Sequence, residues 1–264
     1  MGIPNFQGKH RFESLCAPEQ FLRYMRAAGR LPERHRLPRA AVLLFDQTLS
    51  DHAARRFGAR RVSCLHGRAF IIDKPRPRVA LLSGFGIGAP ALAAFLEEMI
   101  ALGARRFIGI GTAGGLREGM KAGDLVLCSK AIRDEGTSHH YLRPSLSVAP
   151  SIALNLKLRH QFNRLRVPYS EGGTWTTDAP YRETPQEVRH YRSLGVATVE
   201  MEAAALFAVA KYRGAQAAAV FSISDVLSDT GWNPQFCSSK TKAGFNILLN
   251  LAIGAHRAKW ACPA

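Results

Sequence analysis

An α/β fold built on a largely parallel central sheet is what this sequence predicts, and three observations predict it. Short continuous apolar runs recur at AAVLLF (40–45), RVALLSG (78–84), RRFIGIGTAGGL (105–116) and AQAAAVFSISD (215–225). Such runs are the pattern of strands buried on both faces. Helical patterns of a dozen or so residues alternate with them, as a parallel sheet requires. The chain, 264 residues and 47% hydrophobic, is long enough for one domain with a large core, and no linker or repeat divides it.

The elements follow in order. A basic lead-in over 1–38 contains a helix around APEQFLRYMRAAG that Gly29 ends, so 1–38 reads as an N-terminal extension and 39–264 as the domain. After the first strand, VSCL and AFIID suggest a β-ribbon, and RVALLSG runs into the tight turn SGFGIGAP. Pro90 suits the first turn of the next helix, ALAAFLEEMIALG, which Gly103 closes. The 105–116 strand ends in a second glycine-rich turn, GDLVLCSKAI is a further strand, and a helix covers about 150–165. GGTWTTDAPYRE leads into the charged helix TPQEVRHYRSLG; ATVEM then delivers the Ala-rich helix EAAALFAVAKYRG, and KAGFNILLNLAIGAHR closes the chain as a helix.

No apolar run approaches the ~18 residues of a membrane span. The N-terminus lacks the apolar core of a signal peptide. Five scattered cysteines without metal-ligand spacing read as reduced thiols, with no zinc site, in a cytoplasmic protein. The net charge is +16, and residues 1–80 hold 16 Lys or Arg against 6 Asp or Glu. Such a field attracts nucleic acid or small anions. No nucleic-acid-binding motif accompanies it, so a non-catalytic nucleic-acid-binding protein is the weaker class of function.

In α/β sheets ligands gather beyond the carboxyl ends of the strands, and four stretches stand there. GFGIGA (84–89) fits G-x-G-x-x-A, but the next strand ends without the acid that a dinucleotide ribose needs. A tight turn, with Gly86 letting backbone approach a sugar or anion, is the other reading. Gly111 and Thr112 offer a hydroxyl and N–H groups for an anionic oxygen, or a close-packed crossing point. Asp225, at a strand end, is expected to be buried, which would raise its pKa and suit it to proton donation; the structural alternative is a cap. Glu200 and Glu202 bracket Met201. Two residues apart in an extended segment, the acids face the same side and can receive vicinal hydroxyls, with the thioether against a sugar ring; a carboxylate at a helix start is the plainer alternative.

With GIGTAGGL, RDEGTSHHYL, TWTTDAPYRET and VEMEAAALFAVA followed by SD, the chain resembles the nucleoside phosphorylase-I family, nearest its uridine-phosphorylase-like branch. The resemblance implies a single α/β domain with a mixed, barrel-like sheet flanked by helices. It implies a homo-oligomer of dimers forming a hexamer, and cleavage of a purine nucleoside or uridine by phosphate to free base and (deoxy)ribose 1-phosphate. Phosphate is then a co-substrate, and no cofactor or metal is needed. Glu202 and Met201 would hold the ribose with Glu200 in support, Thr112 would take phosphate, and Asp225 would protonate the leaving base. Pro180 falls where an aromatic packs on the base, with Tyr181 beside it and Arg182 a loose match to a uracil-reading residue. Lys240 or Lys242 would assist Asp225, and His10 or His35 would reach a neighbour's sugar. The family's phosphate glycine and arginines are replaced by Phe45, Leu49 and Gly109. Either Arg60, Arg61 or Arg68 substitutes, or water is the nucleophile, as in the family's nucleosidases, with Asp46 near the place of their acid.

Overall fold

The structure, a computed structural model, describes residues 3–46, 48–228 and 231–258. Helix α1 (Pro18–Ala27) precedes strand β1 (Ala40–Leu44), helix α2 (Thr48–Arg56) and the antiparallel ribbon β2 (Arg60–Val62) with β3 (Arg68–Ile72). Next come β4 (Val79–Ser83), α3 (Ala89–Ala101), β5 (Arg106–Gly115), β6 (Leu125–Asp134), β7 (Ser147–Val148) and α4 (Ile152–Arg164). The remainder is β8 (Ser170–Thr177), α5 (Pro185–Ser193), β9 (Val196–Glu200), α6 (Ala203–Tyr212), β10 (Gln216–Ser228), β11 (Gly231–Pro234) and α7 (Ser239–Arg257).

The strands form one mixed sheet in the order β11-β10-β6-β8-β9-β5-β1-β4-β3-β2, and a further β10–β5 pairing closes five of them, β10, β6, β8, β9 and β5, into a barrel. The pairs β1–β4, β1–β5, β5–β10, β6–β8 and β8–β9 are parallel. Helices cover both sides. Leu92, Phe95, Leu96, Leu206 and Val209 of α3 and α6 share one core with Leu43, Phe107 and Phe221. Leu154 and Leu158 of α4 share another with Leu248, Leu251 and Ala252 of α7 and with Val42, Ile108 and Val220. The runs AAVLL and VALLS are buried at every residue, as strands covered on both faces must be.

Two stretches differ from expectation. At GTAGG the sequence suggests a turn, yet β5 runs unbroken through Gly115. Its glycines serve side-chain approach. A Cβ on Gly109 would stand 2.9 Å from the Phe45 ring, on Gly111 2.6 Å from it, and on Gly114 2.5 Å from Leu227. GGTWTT, read as a lead-in, is strand β8, with Thr174, Trp175 and Thr176 buried. Within the 1–38 segment, residues 18–37 pack on the domain: α1 lies against α3, and Leu22, Leu31 and Leu37 are buried in the α3–α6 core.

Candidate functional site

The register of β5 assembles the site. Along one edge β5 pairs with β10 from Arg106 to Gly115. On its other edge β1 pairs over 106–110 and β9 over 114–115. The edge over 111–113 is therefore left between two departing strands, and Thr112, half-buried, sits in its middle. Gly114 lies opposite Val199 of β9, so Glu200 and Met201 continue toward Ala113 and Thr112. Gly114 is also in register with Asp225 of β10. Thr112, Met201 and Asp225, far apart in sequence, become neighbours through two strand pairings, β5–β9 and β5–β10.

The two carboxylates do not face the same way. β9 stops at Glu200, and Glu202 stands at the N-cap of α6 with φ −133 and ψ −30, outside extended geometry. Glu200 turns back into the barrel. Its Oε1 accepts from Thr176 Oγ1 at 2.6 Å and Thr174 Oγ1 at 3.3 Å, and its Oε2 from the N–H groups of Glu202 and Ala203 at 2.8 and 2.7 Å. It is Glu200, then, that satisfies the first N–H groups of α6, where the helix dipole favours an anion. Glu202 reaches the other way: its Oε1 accepts from Gly88 N at 2.6 Å. Both acids are buried. Burial, and then the neighbouring Glu202 charge, push Glu200 up to about 7. Burial also raises Glu202, against the opposing backbone hydrogen bonds from Gly88 and Met201.

Gly88 belongs to the glycine turn between β4 and α3. There Gly84, Gly86 and Gly88 all take left-handed φ (69, 99 and 90), which brings the Gly88 N–H to the Glu202 carboxylate. Met201 Cε lies 3.8 Å from where a Gly88 Cβ would stand, so the turn closes over Met201 and Glu202 together. Ile87, at the tip of the turn, is 77% exposed.

Asp225 is buried, as expected, and both its oxygens are engaged: Oδ1 accepts from Ser224 Oγ at 2.6 Å, Oδ2 from Trp232 Nε1 at 2.8 Å. Trp232 comes from β11, which the sequence does not announce. Neither Lys240 nor Lys242 bonds to Asp225. Lys240 lines a cleft of about 620 Å³ with Lys121, Val226 and Trp232, while Lys242 is exposed on α7. That cleft is not lined by Glu202, Met201 or Thr112.

Pro180, Tyr181 and Arg182 form one exposed 3-10 turn after β8, with Tyr181 96% exposed. The following residue, Glu183, is a group that sequence reasoning passes over. Burial, then the charges of Asp225 and Glu187, raise it to about 7. His10 folds back on its own chain, its Nε2 2.8 Å from the His139 carbonyl.

The half of the site where the sequence leads one to expect an anion is built differently. Phe45 follows β1, donates its N–H to Ile110 O at 3.0 Å, and lays its ring against Gly109 and Gly111. Phe85 packs edge-on to it at 5.9 Å and stacks on Phe95 at 4.9 Å. An aromatic wall thus stands beside Thr112. Arg60 and Arg68 are paired with Asp73 and Asp51 at 2.8 Å each, on the outer strands β2 and β3. Arg61 is exposed on β2 and Asp46 half-buried after Phe45.

Residues 39–248 match the family model described as the phosphorylase superfamily. A uridine phosphorylase of Thermococcus kodakarensis is 32% identical over 154 residues, 52% of this chain and 54% of that protein. A purine nucleoside phosphorylase of Clostridium perfringens is 28% identical over 177 residues, 66% and 74% of the two chains. The chain thus spans about half the length of the first relative and three quarters of the second. Among solved structures, the Toxoplasma gondii purine nucleoside phosphorylase in complex with immucillin-H superposes with a TM-score of 0.77 at 19% identity, covering 85% of this chain and 92% of that one. The Vibrio fischeri uridine phosphorylase gives 0.75 at 23% identity, covering 89% and 98%. The match runs through every strand of the barrel and every candidate residue on β5, β9 and β10: this chain belongs to the phosphorylase superfamily.

Proposed function

We propose that the protein cleaves the N-glycosidic bond of a nucleoside, a purine nucleoside or uridine, at the gap in β5. The observation that carries this reading is Glu202, a buried carboxylate held by the N–H of Gly88 beside Met201, where the glycine turn closes on the open edge of β5. A buried carboxylate is costly unless hydrogen-bond donors surround it. Vicinal sugar hydroxyls would satisfy it, with Met201 against the ring. Glu200 acts from behind, fixing the strand–helix corner. The base leaves toward Asp225, Glu183 and the Pro180–Arg182 turn, where a carboxyl near neutrality can donate a proton. The scheme holds the sugar as it becomes cationic and neutralises the departing base. It calls on no cofactor.

The acceptor divides two readings. Relatives named phosphorylases support phosphate, taken by Thr112 with the open edge of β5, and (deoxy)ribose 1-phosphate as product. A homo-oligomer built on dimers, and a cytoplasmic role in nucleoside salvage, accompany that reading. Hydrolysis is favoured by one observation: the Phe45 ring on Gly109 and Gly111 offers a phosphate dianion no donor where the family keeps its glycine and arginine. Incubating inosine, guanosine, adenosine, uridine and their deoxy forms with and without phosphate decides. Base release that requires phosphate establishes phosphorolysis; equal rates with free pentose as product establish hydrolysis. No release from any nucleoside defeats both.

A further inference from the structure

Strand β11 has all four residues exposed and pairs antiparallel with β10: Leu227 faces Trp232, and Asp225 faces Pro234. Trp232 therefore stands diagonally across the pair from Asp225, a separation that an aromatic side chain can span. Its Nε1 donates to Asp225 Oδ2 at 2.8 Å, while the residue stays 58% exposed and its ring meets that of Phe236 at 6.2 Å.

An irregularity in β10 places the carboxylate that the indole grips. Ile223 pairs with Ala113 and Asp225 with Gly114, so Ser224 is an extra residue in the ladder. A bulge of this kind re-aims the side chains beside it. A Cβ on Gly114 would stand 3.1 Å from Asp225 Oδ2, so this oxygen lies over β5, the strand that carries Thr112. Ser224 Oγ donates to the other oxygen, Oδ1, at 2.6 Å. The carboxyl of Glu183 is close enough for its charge and that of Asp225 to interact. Repulsion between the two would swing a free carboxylate aside. The indole N–H opposes that swing at the oxygen over β5. A purely structural tie would add little here. The β10–β11 pair is already closed by its ladder, by Gln235 N on Ser224 O at 2.8 Å and by Ser228 Oγ on Gly231 O at 3.1 Å.

We propose that Trp232 is a positioning residue for the cleavage: its Nε1–H fixes Asp225 Oδ2 over Gly114, aimed at the base that leaves. In this role, which rests on reading the gap in β5 as a nucleoside site, Trp232 acts only through Asp225. As the glycosidic bond breaks, its electron pair departs on the base, and the Asp225 carboxyl supplies the proton that neutralises it. Steady-state kinetics on inosine, guanosine, adenosine and uridine, beside melting curves of the full chain, test this. Trp232→Phe keeps a ring but no N–H. Its kcat is expected to fall about ten- to a hundredfold with KM within roughly threefold of the parent. Its melting temperature should stay within about 2 °C, because the position is exposed. Trp232→Phe added to Asp225→Asn should cost nothing further, since no carboxylate remains to be aimed. Trp232→Leu provides the same readout should the first variant fail to fold. An active parent chain matched in kcat by Trp232→Phe overturns this role alone. So does a double variant slower than Asp225→Asn by the full Trp232→Phe factor, or a rise in KM at constant kcat. Lost activity with a much lower melting temperature makes Trp232 a structural tie and overturns it too. A parent chain that cleaves none of the four nucleosides overturns the reading of the gap and this role together.

Discussion

Glu202→Gln is expected to lower kcat/KM for nucleoside cleavage by roughly two to four orders of magnitude while the protein stays folded. The substitution keeps an Oε1 that can accept from Gly88 N, so the link between the glycine turn and the start of α6 survives. It removes the anionic charge. Hydrogen bonds from two sugar hydroxyls to a carboxylate are worth about 1.5–3 kcal/mol each, and about 1.4 kcal/mol is a factor of ten in rate. Because burial raises Glu202, the neutral amide is also the easier group to bury at pH 8. Its melting temperature should therefore stay within a few degrees of the parent chain. Activity assays beside melting curves separate the possibilities: unchanged kcat/KM ends the sugar-receptor reading, and lost activity with a much lower melting temperature makes Glu202 a structural link.

The fold was legible because its signal is local. Continuous apolar runs such as AAVLL and VALLS can only be strands buried on both faces, and helix patterns fall between them. VEMEA was legible as a strand end with chemistry in it. The direction of its two acids was not, since alternation holds only while the chain stays extended, and β9 ends at Glu200. The partners of the site groups are all distant in sequence: Gly88 for Glu202, Thr176 for Glu200 and Trp232 for Asp225. Phe45 shows the same limit. Its replacement of a family glycine is visible in the chain, and so is Gly109 in place of an arginine. That the ring occupies the face of Gly109 and Gly111 emerges only when β1 and β5 pair. Thr174 and Thr176 look like loop residues in GGTWTT until the carboxylate they hold is in place.

The second carboxylate should give the opposite result. Glu200→Ala is expected to lower the melting temperature by roughly 10 °C, with activity lost only because the site corner collapses. Four hydrogen bonds go at once, and the N–H groups of Glu202 and Ala203 are left buried beside the hydroxyls of Thr174 and Thr176. A lost cap costs about 1 kcal/mol, and each buried donor left unsatisfied about 1–3 kcal/mol. The sum, roughly 3–5 kcal/mol, corresponds to about 2–4 °C per kcal/mol in a chain of this size. Glu200→Gln should recover most of it, because one amide oxygen still meets the N–H groups while the threonine hydroxyls turn to accept. The two variants also differ in pH dependence. With Glu200 raised to about 7 from 4.5, the native protein binds a proton there that the unfolded chain has released. Stability from this group is thus fully present below about pH 4.5 and lost as pH rises through about 7. Glu200→Gln removes that slope, so its deficit against the parent chain should be largest near pH 5 and shrink by pH 8. A Glu200→Ala protein melting within 3 °C of the parent, or a Gln variant whose deficit grows with pH, would show that α6 is held by something other than this carboxylate.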